Sequence, residues 1–126
     1  MRVHGVSWLG TRTERYEPMV AFLRDVLQLE VAHEEPGFAV FRCPNDDLVE
    51  VFGHDHDLAH DFFTTGPVAG FSVDDVDTAK AELEAAGIEF LGERGSTDDG
   101  YAWWHFRAPD GNVYEITSGS PPSGGA

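Results

Sequence analysis

Basic residues, cysteine and long apolar runs are all scarce in this sequence, and each shortage excludes a class of protein. Eight Lys and Arg stand against 23 Asp and Glu, a formal net charge of −15. Residues 1–63 hold 5 basic and 12 acidic side chains and residues 64–126 hold 3 and 11, so neither half carries a basic patch. Repulsion therefore disfavours nucleic acid and anionic membrane as partners. The lone cysteine, Cys43, has no internal partner for a disulfide and reads as a small strand-end or core residue of a reducing compartment. No apolar run reaches the roughly 20 residues of a membrane-spanning helix, and Met-Arg-Val-His-Gly-Val lacks the pattern of a signal peptide. The expectation is a cytoplasmic protein. Nucleophile elbows, phosphate-binding glycine loops and dinucleotide fingerprints are missing as well.

What is present is organised around Trp103–Ile116. Two apolar runs flank Ala108-Pro109-Asp110-Gly111-Asn112, whose Pro, Asp, Gly and Asn suit a tight turn. Inside the second run lies Glu115, a carboxylate that is costly to bury unless paired, hydrogen-bonded or metal-bound. Upstream, residues 2–9 read as a strand with His4, Val6 and Trp8 on one face, and residues 11–15 as a loop. An apolar stripe from Tyr16 to Leu27 predicts a helix, and strands follow at 29–32, 38–43 and 48–52. After Thr64-Thr65-Gly66-Pro67 the pattern restarts. A strand at 68–73 precedes a helix capped by Asp75 or Asp77 and stopped by Gly87, then a strand at 88–91, a loop at 92–100 and the closing hairpin. The chain thus reads as βαβββ twice, 1–63 and 64–117, with residues 118–126 as a disordered tail of one structural domain. Leu48-Val49-Glu50-Val51 corresponds to Val113-Tyr114-Glu115-Ile116, and His4 to Val68.

Four segments in this order resemble the vicinal oxygen chelate superfamily, which contains glyoxalase I, bleomycin-resistance proteins and extradiol dioxygenases. They are Val3–Leu9, Ala21–Val31, Phe71–Asp77 and Ala108–Ile116, and the resemblance covers about residues 2–117. It implies an α+β fold of two tandem βαβββ modules, a curved mixed sheet around a cleft, with a homodimer as the usual assembly. In metal-dependent members a divalent ion is held on the first and last strands of each module. Carried over, those positions are His4, Glu50, Val68 and Glu115, so Val68 removes the fourth donor. His4, Glu50 and Glu115 remain as the expected ligands of a single Zn, Ni, Mn or Fe ion.

By alternation Trp103, His105 and Arg107 share one strand face and Trp104 and Phe106 the other. The family analogy turns Trp103 and His105 toward the cleft, with Val6, Trp8, Phe52, Val68 and Gly70 completing the ligand-binding set. His105 and Glu115 are the catalytic candidates; His105 reads as a substitute metal ligand, a general base or a donor to a bound ligand, or equally as an outward strand histidine. Two functions follow. One is a bleomycin-resistance-like protein that binds, and sequesters, a small molecule in an acidic, aromatic-lined cleft. The other is a metal-dependent glyoxalase, lyase or dioxygenase acting on vicinal oxygens. His54, His56 and His60 form a second histidine cluster, which reads as a solvated loop.

Overall fold

The computed structural model describes residues 1–54, 56 and 66–119. The spacing of His56 and His60 and the expected tail beyond Gly119 lie outside the described residues. Among these, the chain is a mixed α+β fold of eight strands and two α-helices, which contacts divide into two compact units.

The first unit is Trp8–Pro67. Its elements are the later part of β1 (Val3–Thr13), α1 (Tyr16–Ala21), β2 (Glu30–Glu35), β3 (Phe38–Arg42) and β4 (Leu48–Gly53). The strands run in the order β2-β3-β4-β1, with β4 parallel to β1 and antiparallel to β3. Val20 and Leu23 from the helical segment bury against Ala39, Phe41 and Val51. Burial of such side chains stabilises by about 1.5–3 kcal/mol each.

Two local expectations fail in this unit. The stripe from Tyr16 to Leu27 is helical but not one α-helix: Phe22–Val26 form a wide π turn, closed by the Leu27 amide on the Phe22 carbonyl at 3.0 Å. Residues 11–13, expected as loop, extend β1, because β4 pairs with them as far as Thr13 opposite Gly53. Hydrogen bonds to a partner strand override a polar local sequence.

The second unit holds, among the described residues, Met1–Ser7 and residues 68–119. It contains β5 (Gly66–Val73), α2 (Val76–Ala85), β6 (Glu89–Ser96), β7 (Ala102–Arg107) and β8 (Val113–Ser118). Here the order is β5-β8-β7-β6, with β5 parallel to β8. Asp75 caps α2 through Oδ2, which accepts the Thr78 amide at 2.9 Å, and Gly87 ends it at φ 92°. Val76 and Ala79 pack on Val73, Ala102, Phe106 and Ile116. Residues 92–96, expected as loop, belong to β6: past a bulge between Leu91 and Gly95 the strand still pairs with β7.

Candidate functional site

The turn between β7 and β8 sets the register that builds the site. Asp110 Oδ1 accepts the Asn112 amide at 3.0 Å, and Oδ2 accepts the Asn112 side-chain N–H and the Tyr114 hydroxyl, each at 3.2 Å. These bonds, the Asn112 backbone N–H first, hold the Asp110 carboxyl below its ordinary range. The Ala108 amide donates to the Asn112 carbonyl at 2.9 Å, Arg107 Nη1 donates to the Gly111 carbonyl at 2.9 Å, and Gly111 takes φ 88°. With the turn closed in this way, His105 lies opposite Glu115 across the ladder and Trp103 opposite Thr117.

His105 and Glu115 form a buried pair. Nε2 lies 2.9 Å from Glu115 Oε2, and the residues are 4% and 2% exposed. Burial pushes the Glu115 carboxyl above its ordinary range, and the hydrogen bond and charge of His105 oppose it. Glu115 Oε1 is buried without a hydrogen-bond partner among the described residues. On the other side of β8 the register partner of Glu115 is Gly70, a residue without a side chain. Trp103 is half-buried on the same face of β7, its ring lying against Gly95 of β6. Thr117 Oγ1 meets Ser7 Oγ at 2.9 Å. On the opposite face Trp104 packs edge-on to Phe90 and donates from Nε1 to Asp77 at 3.1 Å, as strand alternation predicts.

Of the other expected site residues of this unit, Gly70 is the register partner of Glu115, while His4 is engaged elsewhere. His4 is exposed, and its Nε2 lies 2.5 Å from Asp74 Oδ1. Val6 is exposed, whereas Val68 is buried. Asp74 and Thr117 were not singled out by sequence reasoning. A signal for Asp74 existed: of the adjacent Asp74 and Asp75 only one caps α2, which leaves the other carboxylate available.

In the Trp8–Pro67 unit, Glu50 is fully buried on β4 between Gly10 and Val40. Trp8 is buried over Gly10, where an added Cβ would fall 2.4 Å from the indole. Phe52 stacks on Phe38 at 4.9 Å, and His56 lies 5.3 Å from the same Phe38 ring. An open cavity of about 720 Å³ is lined by residues including Glu14, Tyr16, Glu17, Glu35, His54 and His56. His33 holds Glu35 at 2.9 Å, and this hydrogen bond keeps the Glu35 carboxyl below its ordinary range.

The donor set fits a metal poorly. Among the described residues no three His, Cys, Asp or Glu side chains gather as a metal centre requires. In the unit that contains both His4 and Glu115, each is engaged in a separate histidine–carboxylate contact, and the fourth expected position is the aliphatic Val68.

The model of the glyoxalase/bleomycin resistance protein/dioxygenase superfamily matches residues 5–116. No match is found among curated proteins. Among solved structures, the Mn(II)-bound glyoxalase from Novosphingobium aromaticivorans is 25% identical with a TM-score of 0.72. That similarity covers 93% of this chain but 39% of the glyoxalase, so the chain spans well under half of that relative's length. Methylmalonyl-CoA epimerase from Mycobacterium tuberculosis is 18% identical with a TM-score of 0.70, covering 94% of this chain and 90% of the epimerase. A superfamily member from Vibrio splendidus 12B01 is 19% identical with a TM-score of 0.65, covering 93% and 98%. With the family model spanning residues 5–116 of 126, the chain belongs to the glyoxalase/bleomycin resistance protein/dioxygenase superfamily.

Proposed function

We propose that the chain binds a small molecule on the β7–β8 face that carries Trp103, His105 and Glu115, and acts by holding it. The observation that carries this reading is Glu115 Oε1, a buried acceptor without a donor among the described residues. Leaving such a group unsatisfied costs about 1–3 kcal/mol, and a ligand N–H or O–H that reaches it removes that cost. Trp103, half-buried on the same strand face, suits the flat apolar part of such a ligand. The net charge of −15 favours a cationic one.

The second reading is a divalent-metal-dependent enzyme of the glyoxalase, lyase or dioxygenase type. It is supported by the 25% identity to a Mn(II)-bound glyoxalase. In that reading His4, Glu50 and Glu115 are the ligands and His105 the acid–base group.

A titration with cationic aromatic compounds, followed by tryptophan fluorescence, tests the first reading. Saturable quenching is expected, with affinity about tenfold weaker in Glu115→Gln, a loss of one charge-assisted hydrogen bond. Equal affinity in both proteins, or no saturable quenching across the panel, would discard it.

A further inference from the structure

The positions at which the family places a metal are occupied differently in the second unit, in a way that goes beyond one missing ligand. His4 Nε2 is bonded to Asp74 Oδ1 at 2.5 Å, and Glu115 Oε2 to His105 Nε2 at 2.9 Å. A carboxylate accepts hydrogen bonds, so each of these imidazole nitrogens faces its partner as a donor. A metal needs the opposite, a lone pair on nitrogen and a free carboxylate edge. Val68 contributes only methyl groups, and it is buried on the β5 face it shares with Gly70, the register partner of Glu115. Of the two Glu115 carboxylate oxygens, Oε1 is buried without a hydrogen-bond partner among the described residues.

We propose that the His105–Glu115 and His4–Asp74 pairs, together with Val68, stand in place of a divalent metal, with His105 Nε2 occupying the Glu115 oxygen that a dication would take. The substitution is chemically coherent. A buried carboxylate needs a compensating positive charge or donors, and an imidazole on the neighbouring strand supplies a donor without an exchangeable ion. A dication approaching Glu115 would meet His105, already hydrogen-bonded to it, and would have to displace that bond for a single oxygen ligand. The exposed His4–Asp74 pair engages Nε2 of the imidazole that the first strand offers. This inference rests on the small-molecule-binding reading, but it concerns the cation at Glu115 and not the ligand.

The test is metal binding by the full chain, read without any activity assay. Chelator-treated protein is titrated with Mn(II) and Zn(II) by calorimetry and by manganese electron paramagnetic resonance. The expected result is no specific uptake below about 1 mM. The Val68→His/Asp74→Asn variant restores a donor and releases His4, and is expected to take up about one equivalent. Uptake of one equivalent by the unaltered chain, abolished by Glu115→Gln, would overturn the proposal. So would a folded double variant that gains no affinity. If Val68→His does not fold, the unaltered chain decides alone. Failure of the fluorescence titration with organic cations leaves the metal titration intact, so the two readings fall separately.

Discussion

At the scale of single residues the chain concentrates its cost in one pair. Glu115 is buried on a strand, and its compensation comes from His105, ten residues earlier in the sequence and opposite in the ladder. Removing one member of such a pair leaves the other as an uncompensated buried group, whereas replacing both with apolar residues removes the problem. His105→Leu is therefore expected to destabilise the fold by about 3 kcal/mol, and His105→Leu/Glu115→Leu by much less. Urea unfolding of the two single variants and the double variant measures the coupling. Additive losses would show that the 2.9 Å contact contributes no coupling to stability. The same side chains show what a sequence reveals at this scale. Period-2 alternation was enough to place Trp103 and His105 on one face and Trp104 on the other, because both strands have strong apolar character and the Asp110 turn fixes the register. The partner of His4 was hidden, since Asp74 lies 70 residues away and no local pattern links them.

At the scale of elements, punctuation was legible and continuation was not. The Asp75 cap, the Gly87 stop and the turn at Pro109–Asn112 act through their own local chemistry, and each ends its element where the sequence indicates. The ends of β1 and β6 depend on other strands. Thr11–Thr13 and Gly92–Ser96 are polar and carry no alternation, yet β4 and β7 extend them. The π turn at Phe22–Val26 is equally silent, because a helix widened over one turn keeps nearly the same apolar stripe. Beyond the bulge, β6 lies close to Trp103 because Gly95 has no side chain: a Cβ there would fall 2.0 Å from the indole. Gly95→Ala is expected to push Trp103 off its seat, at a cost of about 1–3 kcal/mol. Near-ultraviolet circular dichroism and tryptophan emission should change together with the unfolding midpoint. An unchanged tryptophan signal with native stability would mean that the ring does not rest on Gly95.

At the scale of the whole molecule the acidic excess dominates. The few basic side chains among the described residues are largely committed: Arg24 to Asp25, Arg94 to Asp77, Lys80 to Glu84, and Arg107 to the Gly111 carbonyl. Acidic side chains outnumber basic ones 23 to 8, which leaves the net charge of −15 as a field over the surface. Such a field opposes compaction and draws cations, the property on which a cation-holding protein would rely. Salt separates these electrostatic terms from the buried pair. At about 0.1 M ionic strength the screening length is roughly 10 Å, so surface repulsion fades while the His105–Glu115 contact is little affected. Raising NaCl from about 10 mM to about 300 mM should therefore stabilise the protein by about 1 kcal/mol, a rise of a few degrees in Tm. The same addition should weaken the binding of an organic cation, because the long-range attraction is screened with the repulsion. Thermal melts and fluorescence titrations across the salt series measure both. A Tm that falls with salt would mean that the surface ion pairs outweigh the excess of like charge, and that the acidic field is not what the fold must overcome.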